Sequence, residues 1–474
     1  MTIVSKWPQV HINQIAEVNP GPSRPLVDDE QVSFVPMASV RELGGGIDAS
    51  VTRPTREVRR KSYRYFEEND VIMAKITPCF ENGKIAVARG LSSGRAFGST
   101  EFHVLRPRSN AVVDSAFLKY FLEGPAFTAL ATRSMAGAVG QQRVPTRVLG
   151  EALMPLPPAD EQRLIVKGIE EQLSRLESGV GELRIVARKA ERMGEALLTR
   201  AALGHLLTPG PYEEPAEATI RAHADQASVS PPRAYFSDHL PSLPDGWTWA
   251  PAHAVCESIV SGNTPTAAKM TGQGEIPFIK VYNLTKTGQL DFTVKPTFVD
   301  RETHSGRLAR SRLRPGDVLI NIVGPPLGKV AIVPPSYPEW NTNQAVVAFR
   351  PLPSLDRQLL VWLLLARPVI GRLVATSKAT AGQFNIALNA CRALPLPIPP
   401  LEEQRRLVEA LNEEFTALRR MQGTVAVQLE RASQLRRAIL SAAFTGRLVN
   451  TLGSAQTGAT PWSGIIPTPI GVGQ

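Results

Sequence analysis

The sequence predicts an α/β protein of the α+β kind, in which two heads of mixed α/β fold are joined by two long helices. The helices are expected to pair as an antiparallel coiled coil, the whole being pseudo-two-fold symmetric. Three observations lead there. Residues 140–206 match residues 382–448 at a constant offset of 242 with no gap. Each copy carries a heptad pattern of apolar residues. Each copy also follows about 140 residues of turn-punctuated, β-branched sequence that differs strongly from its counterpart. An internal repeat of this kind constrains architecture before any local pattern does.

The heads share landmarks despite their divergence. Asp70-Val71-Ile72 followed by Gly83-Lys84-Ile85-Ala86-Val87 parallels Asp317-Val318-Leu319 followed by Gly328-Lys329-Val330-Ala331-Ile332. Phe102-His103-Val104-Leu105-Arg106-Pro107 parallels Val346-Val347-Ala348-Phe349-Arg350-Pro351. Short β-branched runs between Gly, Pro, Asn and Asp read as strands and turns, largely antiparallel. Helical stretches follow at 116–122 and 359–365.

Each repeat opens on a proline cluster, Met154-Pro155-Leu156-Pro157-Pro158 and Leu396-Pro397-Ile398-Pro399-Pro400. Proline disfavours helix before it and is tolerated in the first turn, so these are stops followed by starts. Asp160-Glu161 and Glu402-Glu403 then place negative charge at the positive end of the helix dipole. The seam runs through Ile169, Leu173, Leu176, Val180, Leu183, Ala187, Ala190, Leu197 and Ala201. In the second copy it runs through Leu411, Phe415, Leu418, Val425, Leu429, Ala432, Ile439 and Ala443. Spacings of four and three predict a coiled-coil face on helices of roughly 40 residues, about 60 Å each. Gly204 and Gly446 stand where a left-handed cap closes a helix. Antiparallel pairing would put one head at each end. The expected order is a head over 1–150, a spacer over 151–206, a linker over 207–242, a head over 243–393, a spacer over 394–449 and a mobile tail over 450–474. The linker is expected to be extended, being rich in proline and poor in apolar residues.

The net charge is +10. Residues 1–150 hold 19 Lys/Arg against 14 Asp/Glu, and residues 240–393 hold 16 against 9, so the heads carry more than the whole surplus. A basic surface confined to the heads suits a polyanion. Arg53, Arg56, Arg59, Arg60 and Lys61 form the densest basic run of the first head, with Arg307, Arg310, Arg312 and Arg314 as the counterpart in the second. Lys75, Lys84, Lys280 and Lys329 suit phosphate contacts, which position without specifying. Gln141, Gln142 and Arg143, with Gln383 and Asn385, are base-reading candidates at the head–arm junctions. Arginine pairs bidentately with guanine, and Gln or Asn with adenine. The shared Gly-Gln is equally open to a structural reading, because a residue common to both heads cannot give them different specificities.

No catalytic constellation is visible. Gly324-Pro325-Pro326-Leu327-Gly328-Lys329 has three residues between its glycines and Val330 after the lysine, so it reads as a turn rather than a phosphate loop. His253 and Cys256 lack the further ligands that zinc requires. Cys79, Cys256 and Cys391 make no close pair, which fits a reducing cytoplasm. The start has no apolar signal region, and the longest apolar run, 359–366, falls far short of a membrane span, so no membrane partner is expected.

Gly-Gln, the Pro-Leu-Pro-Pro stop of the first copy (Pro-Ile-Pro-Pro in the second) and Glu-Gln-Arg opening a long helix occur twice, each behind a head that begins near Trp7 or Trp247. Together they resemble the specificity subunit of type I restriction–modification systems. Ser99-Thr100-Glu101-Phe102 also looks like a segment common in that family's target-recognition domains; the second head departs from it with Asn343-Gln344-Ala345-Val346. The resemblance covers nearly the whole chain and implies a non-catalytic subunit that binds double-stranded DNA. Each head would read one half of a split target, with the paired helices fixing the gap. It implies no cofactor on this chain. Two modification subunits with S-adenosylmethionine, and restriction subunits with ATP and Mg²⁺, would be the partners. Two other readings stay open from the residues: a specificity subunit serving a fused methylase–nuclease, and a coiled-coil scaffold with no DNA partner.

Overall fold

A computed structural model describes residues 6–59, 62–109, 112–138, 140–208, 210–232, 236, 239–380 and 383–448. The expected mobile tail lies outside these residues, as do Arg60 and Lys61. Two compact units are present, Met1–Arg184 with Ala426–Gln474, and Ile185–Val425. Each holds one head, the beginning of one long helix and the end of the other.

The head of the first unit uses β1 (Gln9–His11), β2 (Ala16–Val18), β3 (Gln31–Val35), β4 (Thr52–Pro54) and β5 (Arg64–Glu67). It continues with β6 (Val71–Ala74), β7 (Ile85–Val87), β8 (Arg95–Gly98), β9 (Phe102–Pro107) and β10 (Leu153–Pro155). One sheet has the order β2-β9-β6-β7 and a second the order β4-β3-β8-β5, while β1 and β10 form a ribbon beside the long helix. All pairings are antiparallel except β3 with β8. Strand β6 is buried along its length. Val71 and Met73 face the core beneath helix Ser115–Glu123, and Ile72 faces a second core between the sheets. A strand covered on both faces has to be apolar throughout, which Val-Ile-Met-Ala is.

The head of the second unit repeats this plan. Its strands are β11 (Thr248–Pro251), β12 (Cys256–Ser261), β13 (Met270–Thr271), β14 (Ile276–Ile279), β15 (Phe298–Val299) and β16 (Val318–Asn321). They continue with β17 (Val323–Gly324), β18 (Val330–Ile332), β19 (Asn341–Thr342), β20 (Val346–Pro351), β21 (Lys378–Thr380), β22 (Gln383–Asn385) and β23 (Pro395–Ile398). The sheet orders are β12-β20-β16-β18 and β13-β15-β14-β19, with one parallel pair, β14 with β19. Helix Arg357–Leu365 covers the first of these.

The landmark Asp and Arg residues of the two heads prove to be partners. Arg106 grips Asp70 with two bonds of 2.9 and 2.7 Å, and Arg350 grips Asp317 at 2.8 and 2.7 Å. Burial pushes the Asp70 carboxyl up and the Arg106 bonds pull it back, so the pair stands or falls together.

The long helices are Ala159–Ala202, the first arm, and Leu401–Phe444, the second, 44 residues each. Every predicted seam residue is buried or half-buried. The arms run antiparallel. In the first unit Ile165, Ile169 and Leu173, from the start of the first arm, share a core with Ile439, Leu440 and Ala443, from the end of the second. In the second unit Leu197, Leu198 and Ala201 share a core with Leu407, Leu411 and Leu418. Gly204 (φ +72°) and Gly446 (φ +82°) follow the arms in the left-handed region, as the cap requires.

Glu-Gln-Arg now has a structural account. The Trp7 indole N–H donates to Glu161 at 2.7 Å, and that of Trp247 donates to Glu403 at 3.0 Å. Gln162 is fully buried; its amide donates to Val112 O (2.7 Å) and Pro157 O (2.9 Å) and its oxygen accepts from Asp114 N (2.9 Å). Gln404 makes the same three bonds to Ser354 O, Pro399 O and Asp356 N. Asp114 and Asp356 in turn cap the head helices. The motif therefore binds arm to head.

One contact is not repeated. In the first unit Arg436 of the second arm bonds Glu123 (2.8 Å), Glu177 (3.1 Å) and Leu43 O (2.6 Å), with Lys119 beside Glu123 at 2.9 Å. Gly44 (φ +72°) closes over Lys119 and Glu123. In the second unit the corresponding glycine, Gly288 (φ +81°), closes over Val361 and Leu365, and Gly194 stands against Phe415 where the repeat would put an arginine.

The linker departs from the extended expectation. Pro215 starts a helix, Ala216–Ala222, whose Ala216 N–H bonds Gly246 O at 2.9 Å. Ile220 and Val229 pack on the core of the second head, the few apolar residues of the segment serving as anchors. Among the described residues no single helix is long and apolar enough to cross a membrane.

Candidate nucleic-acid interface

In each head the loop after the central strand meets the residues that follow Gly-Gln in sequence. The first head uses Lys75 N→Glu101 O (2.9 Å) and Val144 N→Lys75 O (2.8 Å). The second uses Ile322 N→Ala345 O (2.8 Å) and Ile386 N→Ile322 O (2.9 Å). Arg143 bridges Ile76, and Asn385 pairs with Val323. The backbone frame is the same, with Lys75 matched to Ile322, Glu101 to Ala345 and Arg143 to Asn385.

The side chains on that frame differ in kind. In the first head Arg143 forks onto Glu101, Nε–Oε2 at 3.0 Å and Nη2–Oε1 at 2.8 Å, while Nη1 donates to Gln141 O at 3.2 Å. Lys75 donates to Thr100 O at 2.9 Å and lies 3.8 Å from Glu101. The Arg143 hydrogen bonds hold the Glu101 carboxyl below its ordinary value, and burial lowers Lys75. Behind the frame His103 is buried, its Nε2 donating to Val144 O at 2.8 Å. In the second head Asn385 and Phe384 are exposed beside the frame, and no charged side chain takes the place of Lys75 or Glu101.

The structure thus brings Lys75, Gln141, Gln142 and Arg143 together. Gln141 is exposed, and the Gln142 backbone is held by Thr77. Lys84 faces inward, donating to Met37 O at 3.1 Å. Lys280 and Lys329 are half-buried at turns, their backbone N–H groups held by Asn283 and Asn321. Gln383 is described by its backbone in β22. The basic run of the first head lies elsewhere, on the second sheet. There Arg56 pairs with Asp29, Arg59 pairs with Asp28 at 2.6 Å, and Arg53 stacks over Phe34 at 4.5 Å. Arg307, Arg310 and Arg312 are exposed, with no carboxylate partner among the described residues. Sequence reasoning missed Glu101 as a member of the cluster. Its signal was present, since it lies in the Ser-Thr-Glu-Phe segment where the second head departs.

His253 and Cys256 go separate ways. His253 faces Arg392 O at 3.2 Å, while Cys256 is buried and its thiol is pushed up by burial; that of Cys391 is pushed up to about 12 for the same reason.

The family model described as "Type I restriction modification DNA specificity domain" matches residues 4–180 and 244–424, one stretch beginning at each head. The EcoEI type I restriction enzyme specificity subunit of Escherichia coli is 24% identical over 504 residues, covering 92% of this chain and 82% of its own. The EcoAI specificity subunit of the same organism is 26% identical over 296 residues, about half of each chain. A solved chain from work on complex assembly and conformational transition of the type I R-M system aligns over 94% of this chain and 100% of its own. Its TM-score is 0.67 at 20% identity. Two heads on one frame, a repeated arm and these matches together establish that the chain belongs to the type I restriction–modification specificity subunits and carries two target-recognition domains.

Proposed function

We propose that this chain is a non-catalytic reader of split double-stranded DNA targets, each head taking one half-site. The observation that carries the reading is the repeated frame of the two heads, on which Lys75, Glu101 and Arg143 are replaced by Ile322, Ala345 and Asn385. Two readers of one construction and different chemistry suit two unlike half-sites. The basic surplus confined to the heads, with Arg307, Arg310 and Arg312 on the surface and without a carboxylate partner among the described residues, supports phosphate contact.

The arms are 44 residues each, about 66 Å at 1.5 Å per residue. In this proposal they fix the gap between half-sites and dock two modification subunits that bind S-adenosylmethionine. Restriction subunits using ATP and Mg²⁺ join that core.

Selection of bound sequences from a random duplex pool tests the reading. A motif in two blocks with a constant unspecified gap is expected, with affinity falling steeply as salt rises. A single block, or binding without sequence preference, would refute it.

A further inference from the structure

The frame that carries the two readers isolates one position. Arg143 and Asn385 occupy equivalent sites, each paired in backbone with the loop after the central strand. The second head holds this frame with Ile322 and Ala345, so the Lys75–Glu101–Arg143 cluster is not needed to keep the loop in place. What the cluster does is fix a guanidinium. Of the five N–H donors of an arginine, Glu101 takes that on Nε and one on Nη2, and Gln141 O takes one on Nη1. One N–H remains on each terminal nitrogen of a side chain that is 43% exposed. Two free donors, one on each terminal nitrogen of a braced side chain, suit the O6 and N7 acceptors of guanine. Lys75 offsets the charge of Glu101, so the brace does not repel a phosphate backbone. The Asn385 amide offers an N–H donor for adenine N7 beside a carbonyl acceptor for adenine N6.

We propose that Arg143, positioned by Glu101 and Lys75, reads a guanine in the half-site of the first head, and that Asn385 reads an adenine in the half-site of the second. This rests on the DNA-reading role proposed above and adds the base and the atoms. Lysine at Arg143 would keep the charge and lose the fork. Glutamine at Glu101 would keep the shape of the brace and lose its ionic hold.

The test is selection from a random duplex pool by the full chain co-expressed with its modification subunits, comparing wild type with Arg143→Lys, Glu101→Gln and Asn385→Ala. In Arg143→Lys one G·C pair of one half-site should lose roughly 5- to 150-fold of its discrimination, with the other half-site intact as proof of a folded chain. Glu101→Gln should weaken the same base pair by less. Asn385→Ala should relax one A·T pair in the opposite half-site. An unchanged motif in Arg143→Lys, or an even loss at every position, would overturn the assignment. So would a Glu101→Gln effect at a different base pair. A wild-type chain that selects no split motif would defeat the DNA-reading role itself, and this assignment with it.

Discussion

A fully buried glutamine with three hydrogen bonds cannot be exchanged for its shape alone. Replacing Gln162 with leucine strips Val112 O, Pro157 O and Asp114 N of the bonds that the buried glutamine makes to them. The expected cost is about 2–4 kcal/mol, read as a lower denaturation midpoint of the first unit, with Gln404→Leu doing the same to the second. His103 makes a second residue-scale prediction. Burial lowers its pKa below the ordinary 6.5, so the folded head holds it neutral while the unfolded chain protonates. Stability is therefore full above about 6.5 and is lost as pH falls from there through the lowered value. Denaturation of His103→Val, which installs the residue found at the equivalent Val347, should give a flatter profile between pH 7.5 and 5.5. An unaltered slope would exclude His103 as the source. Residue roles were the least legible part of the sequence. The duplication drew attention to Glu161 and Gln162, yet Trp7 lies 154 positions from Glu161 and the Asp114 partner lies 48 from Gln162. Arg56 and Arg59 read as free basic groups because their neutralising Asp28 and Asp29 sit outside the run.

Among the elements, the arms were the most legible, since a heptad pattern reports a face directly and the cap glycines mark its end. Their direction was settled by packing at particular places, above all where Arg436 reaches Glu123 and Glu177. That contact is buried and charged, and its counterpart in the second unit is apolar. Arg436→Met should destabilise the first unit by about 2–4 kcal/mol, because the buried Glu123 then keeps Lys119 alone as its ion-pair partner. The triple change Lys119→Val, Glu123→Leu, Arg436→Met copies the apolar version around Val361 and Leu365. It should recover most of that loss in thermal or denaturant melts. If the triple variant stays as weak as Arg436→Met, the cost lies in packing rather than in charge. The strands were legible where both faces are covered, as in Val71–Ala74. The second sheet of each head was not, because strands as short as Met270–Thr271 show no period at all.

For the whole molecule, the proposed spacing role gives a geometric prediction. Removing residues 180–186 and 425–431 together takes one heptad from each arm and keeps the seam in phase. The arm shortens by about 10 Å, so the unspecified gap should shrink by about three base pairs at 3.4 Å each. The bases read in each half-site should not change. A selected motif with its original gap would rule the arms out as the spacer. The basic heads and the duplication were visible from composition and repeat alone. The Lys75–Glu101–Arg143 cluster was not, because three separate segments converge only after folding.

The first compact unit is assembled from distant stretches of the chain, whereas the second is continuous from Ile185 to Val425. During synthesis on the ribosome, the later head can therefore finish before the earlier one. Phe117 and Phe121 must wait, uncovered, until Ile439 and Phe444 have been translated to seal them. A nascent chain stalled once residue 425 has just cleared the ribosome should carry a protease-resistant second head and a first head still open to cleavage and to chaperones.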